Sequence, residues 1–565
     1  MLRPLVSLAA RVLVLTLAAA GPAAADPLDD LARDFWQWRA VHQPSSDDDI
    51  PRIERPAGWL PDWSPASIGA RRAAINQFAR RHQAIDASAW PVPRQVDYRA
   101  IGSAIARVTW ELDVAPAWRR DPAFYIQQAL GPVFDLLLSP RPFDQARGRA
   151  IAQRLTHAPV TIGHAMTNLD DARRPFARLA IDTLDGIEAR LATMAAELDP
   201  KLPASERGSI AGPAAAAGQA LARFRAWLEQ RAPQMKPDTA AGRDAYTWFL
   251  REVALVPFTP EEVVAMGAQE WQRAVAFEAL EQARNASLPP LPLAASAEAQ
   301  IAREAKDEAA IRRFLEEKQL LTVPSWTRHY LNALIPPYLE PLGFLGVTDD
   351  LTSDTRLDED GYSYIRAPRP DLPYFYLSTA RDSRPIVVHE GVPGHYFQMA
   401  LAWKHENPIR RRYYDSGANE GIGFYAEEMM LQAGLWDDSP RSREIIYNFM
   451  RLRALRVEVD VKLATGLFTI LQAAEYLEKT VPMDHETALD EAAMFAASPG
   501  QAITSQIGKI QVVRLLADAR RAQGPRFSLR DFHDFVWKNG NLPLSLLRWE
   551  LLNDRSEIDR LAAIK

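Results

Sequence analysis

"TPEEVVAMGAQEWQRAVAFEALEQAR" (259–284) is the stretch that sets the fold class. Thr259 offers a side-chain cap, Pro260 suits the first helical position, and Glu261 and Glu262 place negative charge in the first turn. The same reading extends outward. "TNLDDARRPFARLAIDTLDGIEARLATMAAEL" (167–198) and "PAAAAGQALARFRAWLEQRAP" (213–233) repeat apolar residues at three- and four-residue spacing. "GPVFDLLLSP" (131–140) reads as core. Strand signals are few. "PYFYLSTA" (373–380) is the best, and "YSYIRAP" (362–368) is its expected partner. The expected fold is mostly α, a large multi-helix body with a small β-element. Proline-rich breaks fall at 43–65, 286–293 and 366–373, and a division into lobes 26–235 and 236–565 is expected within one unit.

The chain has 565 residues, 47% of them hydrophobic and 24% charged, a globular composition. Residues 1–25 combine Arg3 and Arg11 with the apolar run "VLVLTLAAA" and small residues up to Ala25. That pattern reads as a secretory signal peptide, so export to the periplasm or medium is expected. No later segment is apolar enough to span a bilayer. There is no cysteine, which excludes disulfides, thiolate ligands and a cysteine nucleophile. Net charge is −6 with scattered basic residues, which does not fit nucleic-acid binding. The one basic cluster, "RRRYY" (410–414), reads as a solvated helix start.

Any metal must therefore be held by His, Asp or Glu, and "IVVHEGVPGHYFQ" (386–398) draws attention. A helix capped by Asp382 or Ser383 would carry His389 and Glu390 in its second turn. On a straight helix His389 and His395 would stand about 240° apart and could not hold one ion. Pro393 and Gly394 permit a kink or bulge that returns His395 to the face of His389. The helix in "ANEGIGFYAEEMMLQAG" (418–434), with Asn419 as expected cap, offers a third ligand. Glu420 and Glu427 share a face but lie about 10 Å apart along the axis. Glu420 is the expected ligand and Glu427 its supporting neighbour. Two imidazoles and one carboxylate suit one Zn²⁺ per chain with a position open to water. Glu390 would act as general base on that water. The competing reading makes His389 and His395 helix-stabilising residues and the acids surface charges.

These segments resemble the bacterial family called domain of unknown function 885 (DUF885). "VVHEGVPGHYFQ" is similar to its H-E-G-x-P-G-H-x-x-Q signature and "NEGIGFYAEEM" to E-G-W-x-x-Y-A-E. "LRALRVEVDVKLATGLFT" (452–469), "SPGQAITSQIGK" (498–509) and "FSLRDFHDFVWKNGNLPLSLL" (527–547) continue the likeness. The resemblance implies a helical zinc metallopeptidase with a glutamate third ligand: His389, His395 and Glu420 on the metal and Glu390 as base. The substrate expected is a peptide or small amide. Ile422, Ala464 and Ser505 depart from the family's Trp, His and Tyr. His533 is a candidate oxyanion donor or a structural histidine, and Gln398 and Tyr425 line the cleft or brace the ligand helices. Arg456 and Asp460, four apart, read as a structural ion pair, or else as a clamp for a substrate carboxylate. The rival function is a catalytically weak periplasmic protein that binds peptides or other ligands in the same cleft.

Overall fold

The computed structural model describes residues 26–46, 51–481 and 483–564. The expected signal segment, 1–25, lies outside these residues. The described residues are 68% helical, so the large buried surfaces form between helices, as the mostly α expectation holds. Among the described residues no helix is long and apolar enough to cross a membrane.

The Pro260–Arg284 helix begins where its sequence says. The Thr259 side chain accepts from the Glu262 N–H and the Glu262 side chain accepts from the Thr259 N–H, a reciprocal capping box. It packs along the Pro440–Thr465 helix. The 167–198 run divides into the end of Gln145–Asn168, then Arg174–Thr183 and Ile187–Leu198, with Gly186 at φ 63° before the last. Val133, Phe134, Leu137 and Leu138 are buried, so "GPVFDLLLSP" is core.

Two apolar clusters matter for the site. One lies among the helices between Trp118 and Leu228 and takes in Leu342, Leu345 and Tyr364. The other joins Leu28, Phe35 and Ile101 near the start of the chain to Val388, Phe397, Phe424 and Trp537. The N-terminal helices thus cover the segment that carries the histidines.

The strand expectations are half right. The 362–368 stretch contributes β3 (Gly361–Ile365), which pairs in parallel with β1 (Tyr330–Leu334) and antiparallel with β2 (Asp349–Asp350). The 373–380 stretch is not a strand. Tyr374–Arg381 is a helix whose Leu377 N–H donates to Pro373 O at 2.9 Å. Tyr374 packs on Phe449 with ring centroids 5.9 Å apart, and tertiary packing overrides the strand preference of Tyr, Phe and Thr. The sheet does sit beside the site: a Cβ on Gly391 would lie 2.6 Å from the Tyr330 ring.

Candidate metal centre

The two histidines come from two elements, not from one distorted helix. Arg384–Ile386 runs into a π-helical turn, Val387–Gly391, closed by the Val392 N–H donating to Val387 O at 2.8 Å. Asp382 accepts from the Arg384 N–H at 2.9 Å. Val392 is extended, the Val392–Pro393 bond is cis, and a new helix starts at His395 (His395–Trp403). The expected kink is therefore a full break. Gly394 is obligatory in it, because a Cβ there would lie 1.7 Å from His389 O. The chain doubles back over His389, and only a missing side chain lets it pass. Trp537 holds the corner by donating Nε1 to Pro393 O at 2.6 Å.

Glu420 comes from the Ser416–Ala433 helix. Its cap is Asp415, which accepts from the Ala418 N–H, rather than Asn419. Asn419 instead donates to Gln398 Oε1 at 3.0 Å, tying this helix to the one that begins at His395. Gly423 lets both imidazoles approach, since a Cβ there would stand 3.0 Å from His395 Cε1 and 3.3 Å from His389 Cε1.

Four expected residues are brought together. Glu420 Oε1 lies 3.1 Å from His395 Nε2, and Glu420 Oε2 lies 3.5 Å from His389 Nε2. Glu390 Oε1 is 4.0 Å from His389 Nε2 and Oε2 is 3.7 Å from His395 Nε2. His389, Glu390 and His395 also form a group with ligand atoms within 4.8 Å of one another. Donors on a tetrahedral zinc at about 2.0–2.1 Å stand roughly 3.3 Å apart. The Glu420–imidazole separations bracket that spacing, whereas those from Glu390 exceed it. The side chains of His389, His395 and Glu420 are 3%, 0% and 10% exposed, and Glu390, at 19%, faces most openly outward.

Charge also fits a cation. Burial opposes ionisation of Glu420, but the two imidazoles hold its carboxyl well below the usual carboxylate range. Glu427, fully buried, places Oε1 2.7 Å from His389 Nδ1 and 3.1 Å from Arg453 Nη2. A carboxylate at Nδ1 favours the tautomer whose Nε2 lone pair faces the site. Glu390, Glu420 and Glu427 thus place three carboxyl groups against the two imidazoles, with Arg453 paired to Glu427, a donor set whose chemistry suits a cation. Ser505 donates Oγ to Glu420 Oε2 at 2.6 Å and fixes that oxygen. His395 Nδ1 meets no hydrogen-bond partner among the described residues.

His533 is elsewhere. Its Nδ1 donates to Leu320 O at 2.7 Å, and its Nε2 accepts from Tyr425 OH at 2.8 Å. Burial pushes it down to about 4, so it is neutral. With both nitrogens engaged it braces Tyr425 and the Glu420 helix, the structural role, and has no N–H to offer an oxyanion. Gln398 is also internal, bonded to Asn419 and to Gly540 O. The expected Arg456–Asp460 pair is absent. Arg456 pairs with Glu491, and Asp460 accepts the N–H groups of Gly500 and Ala502 at 2.9 and 2.7 Å. Burial pushes Asp460 up to about 7. "RRRYY" is not simply solvated either, because buried Arg410 bonds Asp97 and Glu550 at 2.9 and 2.7 Å.

A model described as "Bacterial protein of unknown function (DUF885)" matches residues 52–323 and 350–551. The chain belongs to the DUF885 family. Its fold is shared with a Shewanella oneidensis protein described as a candidate lipoprotein of unknown function: 15% identity, TM-score 0.69, 94% of this chain and 99% of the other covered. It is shared too with a candidate lipoprotein from Colwellia psychrerythraea: 14% identity, TM-score 0.73, coverage 95% and 100%. No curated protein matches the sequence. DUF885 membership and these neighbours give the fold and no activity. Two side chains of the centre escaped the sequence reading: Arg453, three residues before Arg456, and Ser505, noted only as a departure from Tyr.

Proposed function

We propose that this DUF885 protein is a zinc-dependent hydrolase of peptide or related amide bonds in the bacterial envelope. The observation that carries the reading is the Glu420 carboxylate, 3.1 and 3.5 Å from the two imidazoles, with Glu390 beside it on the open side. His389, His395 and Glu420 would hold the ion. A zinc ion so held supplies Lewis acidity and makes nearby water easier to deprotonate.

Each side chain has a part in this reading. Glu427 orients the His389 ring through Nδ1, Arg453 pairs with Glu427, and Ser505 orients Glu420. Glu390, too far from both imidazoles to share their tetrahedral spacing, takes a proton from water attacking the amide carbonyl. It then returns the proton to the leaving nitrogen. Envelope location rests on the 1–25 segment and on the two structural neighbours described as candidate lipoproteins. The binding-protein reading is favoured by one observation: Ser505 and His533 direct their donors to internal partners, Glu420 and Leu320 O.

A mixed peptide library incubated with zinc-loaded protein, with chelator-treated protein, and with the latter after zinc return tests the reading. Cleavage should disappear on chelation and come back with zinc. Cleavage indifferent to chelation, or none with zinc bound, would overturn it.

A further inference from the structure

A cavity of about 970 Å³ is lined by none of the four central side chains. It is nonetheless joined to both ligand helices. Met399, one turn beyond His395, is in its wall. Gln501, also in the wall, bonds through Oε1 to Ser416 Oγ at 3.2 Å, one turn before Glu420. Other walls are aromatic, among them Trp110, Phe176 and Phe249.

Five arginines reach this space, and three have internal partners. Arg39 pairs with Glu111, Arg52 with Asp135, and Arg411 donates to His405 O. Arg107 and Arg412 carry no ion pair and no side-chain hydrogen bond among the described residues, while Arg107 stands 5.8 Å from the Phe249 centroid. Both line the cavity. Arg107 is one turn from Ser103, whose Oγ lies 2.9 Å from Tyr413 OH, and Tyr413 follows Arg412. Arg107 also reaches toward the Glu420 helix: burial pushes its cap, Asp415, up to about 6, and Arg107 is the charge opposing that. Glu54, Asp121, Asp354 and Asp490 also line the cavity, the last two from the 351–360 loop and the His485–Ala497 helix. Burial and neighbouring acids push Asp490 up to about 6.

We infer that the cavity receives a carboxylate of the substrate on Arg107 and Arg412, with apolar side chains of the same peptide against the aromatic walls. Guanidinium groups that make no ion pair or side-chain hydrogen bond among the described residues are suited to charge-assisted, two-point recognition of carboxylate. The choice of a peptide rests on the hydrolase reading. The carboxylate has two sources, a free C-terminus or an acidic side chain.

The test uses zinc-loaded Glu390→Gln protein, so that binding is measured without turnover. The probes are fluorescein-labelled Ala/Phe hexapeptides in four forms, with a free or amidated C-terminus and with Glu or Gln at one internal position. At least one carboxylate form should bind about tenfold or more tighter than the amidated Gln form, as one charged hydrogen bond allows. The form that gains identifies the source. The preference should fall toward unity in Arg107→Gln and Arg412→Gln. Arg412 is exposed, so its replacement leaves a folded protein even where Arg107→Gln disturbs Asp415. Equal binding of all four forms, a preference that survives both substitutions, or no binding would overturn the inference. Wild-type cleavage without carboxylate preference removes the inference and leaves the hydrolase. An arginine-dependent preference without wild-type cleavage does the reverse.

Discussion

Glu390→Gln should cut peptide hydrolysis by about 100-fold or more, the lower end of what a general base supplies, while zinc content stays at the wild-type level. The substitution keeps the size of the side chain and removes its proton acceptor. It should not disturb the ion, because Glu390 lies 4.0 and 3.7 Å from the imidazole nitrogens and Glu420 lies nearer to both. Stability should change little, because glutamine keeps the size and much of the hydrogen bonding of glutamate. Progress curves on a peptide cleaved by the wild type, with zinc measured on the same sample, check this. Equal rates in the two proteins would remove Glu390 from the mechanism.

His389→Ala should lower bound zinc from about one ion per chain to nearly none. Three ligands are the minimum for a catalytic zinc site, and the two that remain cannot compete with solvent and chelators. The protein should still fold. Glu427 loses its imidazole neighbour but keeps Arg453 at 3.1 Å, so the substitution does not strand a buried charge. Thermal stability should lose its dependence on added zinc, because stabilisation by a ligand requires that the ligand bind the native state. Elemental analysis and melting with and without zinc read both effects. Full zinc content in His389→Ala would put the ion elsewhere.

Much of this architecture can be read from sequence where local rules act alone. Thr259, Pro260 and Glu262 form the expected helix start because capping involves only residues within one turn. The 373–380 stretch misleads because its aromatic and β-branched residues favour strands locally. Its actual neighbours, Phe449 and Asp484, lie far along the chain. The pairing of His389 with His395 is legible from residue types, but the means is not. A kinked helix and a break into two helices both satisfy Pro393-Gly394, and the close pass of Gly394 over His389 O is a tertiary fact. The same holds for Arg453. Arginines at 453 and 456 look alike on the page, and only packing shows that the first faces Glu427 and the second Glu491. Asn419 and Asp415 are both good caps by residue type, and the helix begins at Ser416, which makes Asp415 the cap. The cavity is invisible in sequence, since its walls join residues from Phe35 to Gln501.

The most direct measurement is anomalous diffraction across the zinc absorption edge from crystals of the zinc-loaded protein. One strong peak is expected within about 2.0–2.2 Å of His389 Nε2, His395 Nε2 and a Glu420 oxygen, with Glu390 outside that distance. A peak held by other residues, or no peak among these three side chains, would contradict the assignment.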